Sequence, residues 1–234
     1  MQSVMKHYGP KFEFFKKIVQ KDDPVILEIG AHFGEDTLRF LETFPQGHIH
    51  CFEPDPRCIK VFRRYVTDPR ATLHEVALSN CAGVATFYQS YQQHSDVLPP
   101  AKYDWIDATL YKEEHLNNSG SSSLKKGYQF NKKEAIEVVT QRFDAWCEKE
   151  DAPQEIDLAW IDVQGAEKDV LDGMGTEIRR LRLVWIEYGE MIYVDSMSRD
   201  ETIEYFESKG FSLVPNFSTP GPAGDLLFLR RGNV

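Results

Sequence analysis

The sequence predicts one doubly wound α/β domain across its 234 residues. Two observations carry that expectation. Short apolar runs alternate with amphipathic stretches from residue 25 onward, as strands and helices do in a mostly parallel sheet. Residues 25–37, Val25-Ile26-Leu27-Glu28-Ile29-Gly30-Ala31-His32-Phe33-Gly34-Glu35-Asp36-Thr37, also form a strand–loop–helix unit with two glycines four positions apart. A chain this long buries a sizeable core without staples, and no internal repeat or domain-sized linker divides it.

The elements follow in order. Residues 4–20 read as a helix with Phe12, Phe15, Ile18 and Val19 on one face, ended by Asp22-Asp23-Pro24. A first strand covers 25–29. A helix over about 35–44 turns Leu38, Leu41 and Phe44 inward, and a second strand covers 48–53. Asp55-Pro56 starts a helix through Tyr65, closed by Asp68-Pro69. A third strand spans about 71–76, and Val84 to Tyr91 form another. Residues 92–133 break the rhythm with Pro99-Pro100, Trp105 and the run Ser119-Gly120-Ser121-Ser122-Ser123. A weakly patterned segment of that length is characteristic of a lid or binding loop, and this one is expected to cover the acceptor side. Ile136 to Phe143 then reads as a strand, Asp144 as the cap of a short helix, and Ile156 to Val163 as a near-continuous apolar strand. Helix Ala166 to Met174, strand Leu181 to Tyr188 and helix Arg199 to Lys209, with Gly210 at its C-cap, lead to two closing strands, 211–214 and 226–230.

Composition narrows the function. The formal charge is −10, from 37 acids against 27 bases, with no long basic run. A phosphate backbone would find no basic footprint here, so nucleic acid is not an expected partner. The four cysteines, Cys51, Cys58, Cys81 and Cys147, lack C-x-x-C spacing and read as free thiols of a reducing compartment. No stretch approaches the length of a membrane span, and the N-terminus has no long apolar region, so a soluble cytoplasmic protein is expected.

The loop after the first strand carries the cofactor reading. Gly30 falls at the carboxyl edge of its strand, where open α/β sheets bind ligands. Both glycines permit a tight turn and a close approach of another molecule to the backbone. Glu53 ends the second strand, where nucleoside ligands have their ribose hydroxyls held. Dinucleotide sites use G-x-G-x-x-G with a pyrophosphate on the helix N-terminus. Here the pattern is E-x-G-x-x-x-G, His32 stands where a second glycine would be, and Glu35-Asp36 open the helix. Those carboxylates suit the helix dipole but repel a pyrophosphate. S-adenosylmethionine has no phosphate and carries a cationic sulfonium and amine, so it fits the loop better. The plain alternative is a strand–helix turn with no ligand.

Six short motifs occur in order: E-I-G-A-x-x-G-x-x-T at 28–37, F-E-P-x-P at 52–56, A-L-S-N at 77–80, S-S-S-L at 121–124, W-I-D-V-Q-G-A-E at 160–167 and I-E-Y at 186–188. With them the chain resembles the FkbM family of S-adenosylmethionine-dependent methyltransferases, whose signature in the fifth motif is K-I-D-V-E-G-A-E. The closing Asp225-Leu226-Leu227-Phe228 fits the family's last hairpin, so the resemblance covers about 25–231. It implies the class I methyltransferase (Rossmann-like) fold, seven strands in the order 3-2-1-4-5-7-6 with the last antiparallel. It also implies methylation of hydroxyl oxygens on sugars or natural-product scaffolds. Carried onto this chain, it places Glu28, Gly30, Ala31, Gly34 and Thr37 around the methionine part, with His32 in the same loop. Glu53 falls at the ribose, Ala77 and Leu78 beside the adenine, and Asp162 beside the methyl group and the acceptor. Three positions depart from the family: Trp160 replaces a lysine, Gln164 a glutamate and His32 an asparagine.

Methyl transfer asks the protein to position reactants and remove a proton. Asp162 and Glu187 fall at adjacent strand ends, and Asp162 is the preferred base. The two acids could instead hold Mg²⁺, which is not favoured because a third acid is not evident. His94 and His115, flanking the insertion, are the alternative bases. His48 and His50 share one face of a strand but lack a third metal ligand, so packing explains them better. Trp105, Tyr103 and Tyr111 could stack on a sugar, and Ser121 to Ser123 could bond a polyol; packing and a turn account for them equally. The expected partner is a small-molecule or glycan acceptor. Competing functions on this frame are a non-sugar acceptor, an NAD-dependent oxidoreductase or epimerase, and a non-catalytic cofactor-binding module.

Overall fold

A computed structural model of the protein describes residues 9–91, 98–127, 132–149, 152–215 and 221–232. In chain order the strands are β1 (Val25–Ile29), β2 (His48–Phe52), β3 (Ala71–His74), β4 (Ala77–Leu78), β5 (Gly83–Tyr91), β6 (Lys132–Gln141), β7 (Ile156–Ile161), β8 (Leu181–Gly189), β9 (Phe211–Leu213) and β10 (Ala223–Arg230). The helices are α1 (Gly9–Val19), α2 (Glu35–Thr43), α3 (Pro56–Tyr65), α4 (Ala108–Glu113), α5 (Phe143–Cys147), α6 (Glu167–Met174) and α7 (Arg199–Ser208).

The main sheet runs β3-β2-β1-β7-β8-β10-β9. Counting only its own strands, this is 3-2-1-4-5-7-6. The pairs β3–β2, β2–β1, β1–β7 and β7–β8 are parallel, whereas β10 is antiparallel to both β8 and β9. The fold is therefore the class I methyltransferase frame. One feature is not legible in the sequence: β4, β6 and β5 leave the main sheet and form a second one of three strands. Alternation builds the two faces. Leu27, Ile29, Ala159, Ile161, Val184 and Ile186 pack with α5, α6 and α7. Ile26, Leu158, Trp160, Leu183 and Trp185 pack with Phe12 and Phe15 of α1 and Phe40 of α2. Strand β7 is buried at every position, as a central strand covered on both faces must be.

Some boundaries move, with physical reasons. The described part of the first helix is 9–19, and its expected start at residue 4 lies outside the described residues. Asp144 does not cap α5: Arg142 holds the cap position, and Asp144, inside the first turn, accepts the Ala145 N–H at 2.7 Å. Strand β7 stops at Ile161, so Asp162 opens the following loop, although its N–H still reaches the Ile29 carbonyl at 3.0 Å. Strand β10 starts at Ala223 rather than 226, which places Asp225 directly opposite Glu187. The insertion carries α4 and shares a buried cluster with α3, joining Tyr103, Ile106, Leu110, Tyr111 and Leu116 to Phe33, Cys58 and Val61. Among the described residues no helix is long and apolar enough to cross a membrane.

Candidate active site

The turn after β1 is fixed by its neighbours. Gly30 has φ +92°, and the N–H groups of Gly30 and Ala31 both donate to the Phe52 carbonyl, at 2.9 and 3.0 Å. A Cβ on Gly30 would stand 1.8 Å from the Asp162 carbonyl oxygen. Gly34 has φ +85°, and its Cβ would stand 2.4 Å from Val66 Cγ2. The sequence suggests that another molecule approaches the backbone at these glycines. At both positions the protein's own chain also comes this close, and of the two only Gly30 lines the cavity above the turn.

Above this turn, along the carboxyl ends of β1, β2, β7 and β8, lies a cavity of about 340 Å³. Glu28, Gly30, Ala31, His32, Glu53, Ala77, Leu78, Asp162 and Glu187 all line it. Gly34 and Thr37 do not. Thr37 is fully buried behind the wall, where its Oγ1 donates to Glu28 Oε2 at 2.5 Å, so it orients Glu28. Burial, with the charge of Asp36, pushes the Glu28 pKa well up against that hydrogen bond.

At one end stands Glu53, 5% exposed. Its Oε2 accepts the His32 N–H at 2.8 Å and its Oε1 the Asp55 N–H at 2.7 Å, so backbone fixes the carboxylate. Burial, with the charge of Asp55, pushes its pKa up to about 7. Asp55 caps α3 through the Arg57 N–H and accepts Gln89 Nε2 at 2.8 Å. Phe52, Val76, Ala77, Leu78, Phe87 and Leu124 give this end its apolar surface.

His32 ties the loop after β1 to the insertion. With φ +50°, its Nδ1 lies 3.0 Å from Glu35 Oε1 and its Nε2 2.8 Å from Ser119 Oγ. The Tyr103 hydroxyl donates to Glu35 Oε1 at 3.2 Å. Burial works against the imidazolium, but the charge and hydrogen bond of Glu35 outweigh it and raise the His32 pKa.

At the other end one side-chain amide joins two acids. Gln164 Nε2 donates to Asp162 Oδ1 at 2.7 Å and to Glu187 Oε2 at 2.8 Å, while its Oε1 accepts the Tyr193 hydroxyl at 3.0 Å. Burial, then the charges of Asp162 and Glu167, pushes Glu187 well above the usual carboxylate range. Asp225 and Lys11 line the same end. Trp160, in place of the family's lysine, stacks on Trp185 at 5.3 Å and 7°.

The other sequence candidates lie elsewhere. His94 is outside the described residues, and His115 is exposed and off the cavity wall. Trp105 packs on Tyr65 instead of facing the cavity, and Tyr111 is buried within the insertion. Of the aromatic trio only Tyr103 lines the cavity, and of the serine run Ser119, Gly120 and Ser122 do. His48 is exposed, and His50 faces His74 at 3.3 Å. Cys51, Cys58 and Cys147 are buried free thiols, and Cys81 is an exposed one. Among the described residues no group of three His, Cys, Asp or Glu could hold a metal ion. Lys11 and Tyr193 are site residues that no motif in the sequence marks, and Asp225 falls in the closing hairpin motif without being marked for the site.

Eight acids line the cavity, Glu28, Glu35, Asp36, Glu53, Asp55, Asp162, Glu187 and Asp225, against Lys11, Arg39 and Lys102. An excess of carboxylates beside a backbone-fixed buried glutamate fits a cationic nucleoside and opposes a pyrophosphate.

The family is given by sequence comparison. The methyltransferase FkbM domain model matches residues 28–213. The 2-O-methyltransferase NoeI of Sinorhizobium fredii is 33% identical over 213 residues, covering 90% of this chain and 81% of its own. Methyltransferase 1 of Beauveria bassiana is 26% identical, over 90% and 82%. The crystal structure of precorrin-6y C5,15-methyltransferase from Geobacter metallireducens aligns at a TM-score of 0.45 and 12% identity, over 97% and 93%. The matched segment runs from Glu28 on β1 through the Asp162–Gln164–Glu187 group to β9, and on that ground the chain belongs to the FkbM family of S-adenosylmethionine-dependent methyltransferases.

Proposed function

We propose that the protein transfers the methyl group of S-adenosylmethionine to a hydroxyl oxygen, that of a sugar or glycan. The observation that carries this reading is the pair of acids, Asp162 and Glu187, joined by Gln164 at the end of the cavity remote from Glu53. A hydroxyl becomes a useful nucleophile only when its proton has somewhere to go, and a carboxylate at the reacting oxygen supplies that place. The similarity to a protein named 2-O-methyltransferase supports an oxygen acceptor.

The bound cofactor supplies an electrophilic methyl group on a sulfonium. Glu53, with both oxygens already fixed by backbone N–H groups, accepts the ribose hydroxyls. Ala77 and Leu78 flank the adenine, and Glu28, aimed by Thr37, faces the cationic end together with the surrounding acids. Asp162 takes the proton of the acceptor hydroxyl. Glu187, whose protonated form burial favours, keeps its place beside Asp162 through Gln164. The insertion, latched through His32 to Glu35 and Ser119, shields the acceptor side as part of one domain.

The test is methyl transfer from isotopically labelled cofactor into glycan and metabolite extracts, with the product identified by mass spectrometry. A label on a saccharide oxygen is the expected result. A label on nitrogen or carbon would sink the hydroxyl reading, and a label on a non-sugar hydroxyl would sink the saccharide part alone. Thermal shift with S-adenosylhomocysteine but not with NAD would separate this reading from an oxidoreductase.

A further inference from the structure

The acceptor end of the cavity is finished by residues from outside the family segment 28–213. Lys11 comes from α1, before it, and Asp225 from β10, after it. Helix α1 is not a loose appendage. Phe12 and Phe15 are buried against Phe40 and Trp160, and the Val19 carbonyl at its far end accepts Arg182 Nη1 at 2.7 Å. Lys11 is therefore carried on a docked helix. Its Nζ stands 4.1 Å from the Trp160 ring centroid and 5.3 Å from that of Trp185, over two stacked indoles that favour a cation. Burial lowers the pKa of this amine, while the charges of Asp36, Asp225 and Asp162 oppose that loss. Asp225 reaches the same end because it pairs in register with Glu187 across β10 and β8.

An ammonium and a carboxylate beside the reacting acids form a donor–acceptor pair. Together they match two oxygens of one molecule, one accepting and one donating a hydrogen bond. Even with Glu187 protonated, Asp36, Asp162 and Asp225 outnumber Lys11 and Arg39 along this wall, so an anionic acceptor would be repelled and a neutral one tolerated. We infer that Lys11 and Asp225 select the acceptor by gripping oxygens next to the one that is methylated, so that the preferred substrate is neutral and carries adjacent hydroxyl groups. This rests on the reading of the site as a hydroxyl methyltransferase. The plainer role for Lys11, offsetting the charge of the acids, predicts altered stability and no change in acceptor selectivity.

The acceptor is first taken from the labelled-extract experiment, and its monodeoxy analogue, lacking the neighbouring hydroxyl, is prepared. Lys11→Met keeps the apolar stem on the indoles and removes the donor. KM for the acceptor should rise on the order of 10- to 100-fold with kcat changed far less, the pattern of a lost uniform binding contact. The preference of the unmutated enzyme for the acceptor over its deoxy analogue should collapse. Lys11→Arg should restore much of the KM, and Asp225→Asn should reproduce the loss. Calorimetry with S-adenosylhomocysteine should give nearly the same affinity in all variants. An unchanged KM and an unchanged deoxy preference in Lys11→Met would overturn the assignment, as would a tenfold loss of S-adenosylhomocysteine affinity, which would put Lys11 in the cofactor site. If the labelled acceptor is not a sugar but Lys11→Met still raises its KM, the saccharide reading falls and the Lys11 assignment stands. If the acceptor is a saccharide and Lys11→Met leaves its KM unaffected, the saccharide reading stands and the Lys11 assignment falls.

Discussion

Asp162 and Glu187, on neighbouring strand ends, are bridged by a single nitrogen, Gln164 Nε2, at 2.7 and 2.8 Å. Two acids that close would repel if both were ionised, and burial already pushes Glu187 up. Asp162→Asn keeps the shape of the group and removes its capacity to accept a proton. Turnover should fall roughly 10²- to 10⁴-fold, the usual range for acid–base assistance, with S-adenosylhomocysteine affinity changed much less. Near-normal turnover would remove Asp162 from the proton-accepting role.

Gln164→Glu replaces the bridging donor with a third carboxylate. The added charge disfavours ionisation of its neighbours, so a base in this cluster must titrate at higher pH. The acidic limb of the kcat–pH profile should move toward alkaline pH, and turnover at neutral pH should drop. An unmoved limb would mean that the titrating base is not in this group.

Glu53 sets a second pH dependence. Its pKa in the free protein is pushed up to about 7, whereas ribose binding needs the carboxylate. Affinity for S-adenosylhomocysteine should weaken as pH falls through about 7 and stay level above about 8. Glu53→Gln should bind on the order of 10- to 100-fold more weakly at about pH 8, the range for losing a hydrogen bond to a charged group. It should also flatten the pH dependence. Calorimetry on either side of the Glu53 titration decides it, and a wild-type affinity independent of pH would count against Glu53 as the ribose acceptor.

Stability should follow the same acids. Glu53 and Glu167 are raised to about 7, and Asp36 to about 6. A folded-state pKa above the unfolded one stabilises the protein at low pH, and that contribution disappears as pH rises through the folded value. The free protein should therefore lose melting temperature between about pH 5 and about pH 8. Carboxylates held low by partners, such as Asp68 beside Arg70 and Asp144 beside Arg142, act oppositely and only below the ordinary carboxylate range. Added S-adenosylmethionine, a cation, should restore more stability at the alkaline end of this window than at the acidic end. A melting temperature that rises across the same window would contradict this assignment of buried acids.

The succession of strands and helices, the β1 turn and the positions of Glu53 and Asp162 are legible in the sequence because each rests on a local pattern: alternation, glycine spacing, an acid at or just after a strand end. The order of the strands in the sheet follows only from the family resemblance. Lys11 is not, because one lysine beside a phenylalanine on an amphipathic helix carries no sign of what its end will face. Asp225 requires the register of β10 on β8, which depends on a strand starting three residues before its apolar run. Gly34, which caps α2, and Thr37, in its first turn, belong to the expected motif but do not line the cavity, since a motif orders residues along the chain and leaves open which face the cavity. The insertion is weakly patterned because its apolar residues find their core on α3 and on Phe33 rather than only on one another.

The glycines offer a clean separation of two costs. Gly30, Gly34 and Gly83 all have positive φ, +92°, +85° and +138°, so alanine at any of them adopts a strained backbone. Their surroundings differ. A Cβ at Gly83 meets nothing within 4 Å, at Gly34 it meets the side chains of Val66 and Phe62, and at Gly30 it meets the Asp162 backbone carbonyl. Side chains can shift by changing rotamer, whereas the carbonyl belongs to the chain leaving β7, where the Asp162 N–H is bonded to Ile29. Gly83→Ala should cost about 1 kcal/mol from strain alone, and Gly34→Ala more. Gly30→Ala should cost the most, upwards of about 3 kcal/mol, as strain adds to a backbone clash. Gly30→Ala should also be the variant whose remaining folded fraction turns over least, because the displaced residue is Asp162. Chemical denaturation of the three variants, with activity scaled to folded protein, tests the order. If Gly30→Ala were no less stable than Gly83→Ala, contact with Asp162 would not be what requires glycine after β1.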